Sequence, residues 1–142
     1  MSNKNYQALI DDRIFIGGAA DVKEMMENDK ADVIYDLRAE ALEHDAPEVR
    51  VHTPIVDDTE NQDESIQNAI NEVVKSYKEG KKIYFHCAGG SNRTGTVAIG
   101  TLLALGEADS IAEAEEKAKA ARAKINVKPE MKASLQRLFP EA

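Results

Sequence analysis

With 142 residues, 42% of them hydrophobic and 31% charged, the chain is long enough for one compact domain with its own core and lacks the apolar-poor composition of disorder. Eighteen basic residues against 26 acidic ones leave a net charge of -8, the wrong sign for a surface that neutralises nucleic-acid phosphates, so any anionic ligand has to be captured by a small local site. The longest apolar stretch, Val97 to Leu105, is broken by Gly100 and Thr101 and is about half the length of a membrane-spanning helix. The N-terminus, MSNKNYQALIDDR, has no apolar core and no small-residue cleavage site, so the expected location is the cytoplasm, without membrane insertion.

In chain order, Arg13 to Gly18 (RIFIGG) reads as a strand that ends in a glycine turn. Asp21 and Glu24 open a short helix whose apolar face is Val22, Met25 and Met26, and Asn28 and Asp29 end it. Ala31 to Leu37 and Val49 to Val56 read as two further strands joined by the polar link AEALEHDAPE. Beyond the acidic stretch DDTENQDES, the residues Ile66, Ile70, Val73, Val74 and Tyr77 recur at helical spacing until Gly80. Lys81 to Phe85 is a strand running into HCAGGSNRTG, and Thr96 to Leu105, closed by Gly106, is a buried helix. Ser110 with Glu113 forms a capping box for an Ala/Glu/Lys-rich helix reaching Lys124, and Pro129 starts a last helix carrying Met131, Leu135 and Leu138. Strands alternating with helices predict an α/β domain spanning residues 1–142, with a central, mostly parallel sheet of four or five strands flanked by helices.

The chemistry is concentrated in His86-Cys87-Ala88-Gly89-Gly90-Ser91-Asn92-Arg93-Thr94-Gly95. A lone cysteine cannot form an internal disulfide, so Cys87 is either a small buried hydrophobe or a reactive thiol, and its neighbours decide. Five small or polar residues let the chain curl so that successive N–H groups point inward as an anion nest, and the following helix adds its positive end. Arg93 supplies a fork matched to two oxygens of a phosphate or sulfate. The same field favours Cys87 as a nucleophilic thiolate, to which Thr94 can donate a hydrogen bond.

This segment resembles the Cys-x5-Arg signature of the protein tyrosine phosphatase superfamily, and IFIGGAADVKEMMENDKADVIYDLRAE resembles the first strand, helix and strand of compact dual-specificity phosphatases. The resemblance implies a cysteine-dependent phosphomonoester hydrolase, of the protein tyrosine or dual-specificity type, that needs no cofactor and no metal. It implies that Cys87 attacks phosphorus, that Ala88, Gly89, Gly90, Ser91, Asn92 and Arg93 bind the phosphate, and that His86 orders the loop. Pro54-Ile55-Val56-Asp57 reproduces the family spacing that makes Asp57 the general acid. Asp58, just before a threonine, is the alternative, and Asp63 is better read as starting the helix. Asn126 is carried over from asparagines that face the pocket in relatives.

The resemblance implies a phosphorylated protein or a small phosphoester as substrate. Relatives that act on polyphosphorylated inositides often add basic residues between the cysteine and the arginine, and Ala88, Gly89, Ser91 and Asn92 include none, so the resemblance favours a singly phosphorylated substrate over a phosphoinositide or inositol phosphate. A phosphate-recognition module without turnover and a sulfurtransferase are the competing readings. His44 and His52 lack metal-ligand spacing, and Arg38 reads as a salt-bridge partner.

Overall fold

The structure is a computed structural model that describes residues 5–40, 48–56 and 62–142. One sheet holds five strands, β1 (Gln7–Ile10), β2 (Ile14–Gly18), β3 (Val33–Arg38), β4 (Arg50–Ile55) and β5 (Ile83–Cys87), in the order β1-β2-β5-β3-β4. β1 is antiparallel to β2 and every other neighbouring pair is parallel, as the alternating pattern predicts. The helices are α1 (Val22–Asn28), α2 (Asp63–Lys78), α3 (Asn92–Ala104), α4 (Ile111–Ala121) and α5 (Pro129–Leu138).

Side chains alternate across the strands, and this divides the interior into two cores. Ile14, Ile16, Val33, Tyr35, Leu37, Ile83 and Phe85 point to the larger core, with Ile66, Ile70 and Val73 of α2, Val97 and Ile99 of α3, and Met131 and Leu135 of α5. Phe15, Ile34 and Tyr84 point the other way, against Tyr6 and against Val22 and Met25 of α1. β5 is buried at every position, which explains why its sequence is apolar throughout its first three residues rather than alternating. No helix among the described residues is long and apolar enough to cross a membrane.

Four boundaries differ from the sequence reading. β1 is an additional edge strand; its four residues are all half-buried, so no alternation announces it, and Asp12 at φ 60° makes the turn into β2. Gly17 and Gly18 are the last two residues of β2, paired with His86 and Cys87 of β5, rather than a turn after it, and a Cβ on Gly17 would stand 2.5 Å from the Tyr84 hydroxyl. α3 begins at Asn92, so Arg93 and Thr94 occupy its first turn. α4 ends at Ala121, three residues before Lys124, because Arg122 leaves helical geometry and turns its side chain inward.

Candidate active site

Parallel strands direct their carboxyl ends to the same side, and the crevice beyond those ends is where such sheets place ligands. β5 lies between β2 and β3 and ends at Cys87, which is 3% exposed and paired in register with Gly18. The chain then curls through residues 88–91 into α3, whose first turn brings Thr94 back to the cysteine. The Thr94 hydroxyl lies 3.1 Å from Cys87 Sγ, donating to it, and 3.4 Å from the Gly17 carbonyl, the longer of the two contacts.

Three consecutive carbonyls of the loop are held on its outer side. Ala88 O accepts from the Ala19 N–H at 3.1 Å, Gly89 O from Arg122 Nη2 at 3.1 Å, and Gly90 O from Arg122 Nε at 2.9 Å. In a trans peptide the N–H of the next residue points opposite to the carbonyl, so the N–H groups of Gly89, Gly90 and Ser91 are turned toward the cup. Gly90 makes this possible with φ +72°, and a Cβ there would stand 2.6 Å from the backbone of Gly17. The far side of the loop is tied to the segment before α5: Asn92 Oδ1 accepts from the Lys128 N–H at 2.8 Å. Asn126 and Lys128 thereby join Cys87, Ala88, Gly89, Ser91, Asn92 and Arg93 in lining a cleft of about 220 Å³. That space is smaller than the roughly 300–1,000 Å³ of a typical small-molecule site, and it suits the anionic head of a ligand rather than its whole body.

Arg93 is 3% exposed and anchored by Nη1 to the Ile55 carbonyl at 3.1 Å. Glu40, just past β3, grips it bidentately, Nη1 to Oε1 at 2.8 Å and Nη2 to Oε2 at 3.0 Å. The Arg93 guanidinium holds the Glu40 carboxyl down to about 2 from its ordinary 4.5. Below, Asp36 is fully buried and pairs across the sheet with His86. Burial pushes the Asp36 carboxyl up, but hydrogen bonds from Arg38, the nearby His86 and a hydrogen bond from Arg50 outweigh it and leave it well below the usual range. His86 places Nδ1 3.0 Å from the Cys87 carbonyl, against the start of the loop.

A cysteine at a strand end, outward-held loop carbonyls and an arginine in the first turn of the next helix form an anion cup with a sulfur at its base. Residues 35–137 match the family model described as PTP-SAK, Swiss Army Knife protein, DSP-PTPase phosphatase domain. The chain belongs to this family. Among solved structures, the fold is similar to human DUSP28 at 18% identity, with a TM-score of 0.81 and coverage of 96% of this chain and 93% of that one. It is also similar to Tk-PTP in its active form, at 21% identity and a TM-score of 0.79, covering 99% of this chain and 100% of that one. PTPMT1 in complex with PI(5)P matches at 15% identity with a TM-score of 0.80, covering 96% of each chain. No curated protein matches the sequence.

Within this PTP-SAK domain the structure gathers His86, Cys87, the residues of the loop, Arg93 and Thr94 at one cup, with Asn126 at its wall. Asp57, Asp58 and His44 lie outside the described residues. Asp63 is the first residue of α2, and its carboxylate is taken by Arg137 and Ser134. Arg38 is bound to Asp36, and His52 lies on the edge strand β4 with Nε2 2.5 Å from the Arg38 carbonyl. Sequence reasoning missed Glu40, Arg122 and Lys128. Glu40 had a signal, a carboxylate just past the carboxyl end of a strand expected to be parallel, where an arginine at the site would need a counter-charge. Arg122 sits in a run that reads as a solvated helix face, and only the fold turns it inward.

Proposed function

We propose that residues 1–142 form one cytoplasmic catalytic domain of the protein tyrosine or dual-specificity type, which hydrolyses phosphomonoesters through a phosphocysteine, with phosphorylated protein as substrate. The observation that carries this reading is the held carbonyl row of Ala88, Gly89 and Gly90 after Cys87, because it leaves the N–H groups of Gly89, Gly90 and Ser91 turned toward the cup, at the start of α3. The Cys87 thiolate attacks phosphorus while the ester P–O bond breaks. The electron pair goes to the leaving oxygen, which takes a proton from Asp57, or from Asp58 as the alternative acid. Ile55, two residues before Asp57 in the sequence, accepts from Arg93 through its carbonyl at 3.1 Å. Water then attacks the phosphocysteine, the same carboxylate accepts its proton, and the P–S bond breaks to give orthophosphate. Arg93 and the loop N–H groups, those of Ser91 and Asn92 included, hold the three non-bridging oxygens, His86 fixes the start of the loop, and Thr94 donates to the departing sulfur.

The test is phosphate release from p-nitrophenyl phosphate between pH 5 and 8. Wild-type protein is expected to turn over and Cys87→Ser to release nothing, whereas equal release from both would overturn the reading. Of Asp57→Ala and Asp58→Ala, the variant that loses more of kcat identifies the acid. A second reading, a phosphoinositide or inositol phosphate as substrate, is favoured by Lys128. The loop itself has no lysine and no arginine other than Arg93, but Lys128 brings a further cation to the wall of the cleft from another element. A larger specificity constant for an inositol phosphate than for a phosphotyrosine peptide would decide for it.

A further inference from the structure

Arg122 has both ends of its guanidinium in use. One edge holds the loop carbonyls of Gly89 and Gly90. The other is held by the N-terminal segment: Nη1 donates to the Asn5 carbonyl at 2.6 Å and to Gln7 Oε1 at 2.7 Å. That segment is itself pinned. The Asn5 N–H donates to Glu24 Oε1 at 3.0 Å, the buried Tyr6 ring packs edge-on against Phe15 and Tyr84, and its hydroxyl donates to Asp29. Gln7 is fixed in register opposite Ile16 by β1.

A guanidinium is rigid and planar, so fixing its Nη1 corner fixes the direction of Nε and Nη2. Arg122 is 3% exposed, and water is poorly placed to replace a lost acceptor. We propose that Gln7, together with the Asn5 carbonyl, is a positioning element for the anion cup and acts through Arg122. The inference rests on the phosphatase reading and extends it. The orientation of the Gly90 and Ser91 N–H groups, and with it the affinity for a tetrahedral oxyanion, is set by a side chain in the first strand that touches neither substrate nor nucleophile.

The experiment titrates sodium tungstate, a non-reacting tetrahedral oxyanion, into wild-type, Gln7→Leu, Gln7→Ala and Gln7→Glu proteins by calorimetry and records each melting temperature without the anion. Gln7→Leu and Gln7→Ala are expected to bind tungstate about tenfold more weakly, the consequence of one lost acceptor to a buried cation. Gln7→Glu, which keeps an acceptor at that position, is expected to stay within about twofold of wild type, a rescue that a general packing role would not produce. Tungstate affinity in the leucine and alanine variants equal to wild type overturns the proposal, as does a glutamate variant as weak as they are. Failure of the wild-type protein to bind tungstate overturns the phosphatase reading itself and the inference with it. The two failures are therefore distinguishable.

Discussion

A buried arginine needs a counter-charge, and Glu40 supplies it to Arg93 from a position that is 58% exposed. The Glu40 carboxyl ionises at about 2 in the fold against an ordinary 4.5. A lowered carboxylate contributes stability that is complete above its unfolded value and lost as pH falls through its folded value, so this pair fades between pH 4.5 and about 2. Glu40→Gln is therefore expected to lose less stability over that window than wild type, read by urea unfolding at a series of pH values. Because the variant also frees one end of Arg93, its kcat/KM for p-nitrophenyl phosphate should fall by about tenfold. Thr94 is the second residue whose role is measurable in isolation. Its hydroxyl is the donor to Cys87 Sγ, and Thr94→Ala should lower kcat by about tenfold while changing KM less, with a burst of nitrophenol if breakdown of the phosphocysteine becomes rate-limiting.

Elements meet the site through close approaches, and glycines mark where. Gly90→Ala would force a Cβ to 2.6 Å from the Gly17 backbone at a positive φ, and it is expected to cost more than about 2 kcal/mol of stability and to abolish tungstate binding. Gly100→Ala provides the contrast. Its Cβ would stand 2.1 Å from Ile70 Cδ1, the end of a flexible side chain between α2 and α3, so a loss of about 1–3 kcal/mol in denaturant unfolding should leave KM unchanged. The elements themselves were largely legible. The Ile66-Ile70-Val73 spacing, the Ser110 cap, where the side chain accepts the Glu113 N–H at 3.1 Å, and Pro129 at the start of α5 all express local rules that the fold keeps. The loop residues were legible for the same reason, since their spacing along the chain is their spacing in the cup. Glu40 and Arg122 were not, because each meets the site across a sequence separation that no local pattern encodes: 53 residues from Glu40 to Arg93, and 32 from Arg122 to Gly90. β1 was hidden by its uniform half-burial.

For the molecule as a whole, a charge of -8 surrounds a cleft whose described walls carry Arg93 and Lys128 and no carboxylate. Long-range repulsion of an anionic substrate is screened by salt, whereas the short contacts inside the cleft are screened less. Raising ionic strength from low values is therefore expected to hold or increase kcat/KM for a dianionic ester; a steep decline would reveal a cationic steering field elsewhere on the surface. The cup also draws on Ala19, Cys87 and Arg122, so its parts lie far apart along the chain. During synthesis, a nascent chain extended to Leu105 already contains the sulfur, Arg93 and Thr94, yet the Gly89 and Gly90 carbonyls have no guanidinium to turn them. On the proposed function, oxyanion binding is in this way deferred until Arg122 has been made, and a chain truncated at Leu105 is expected to carry Cys87 without the trap.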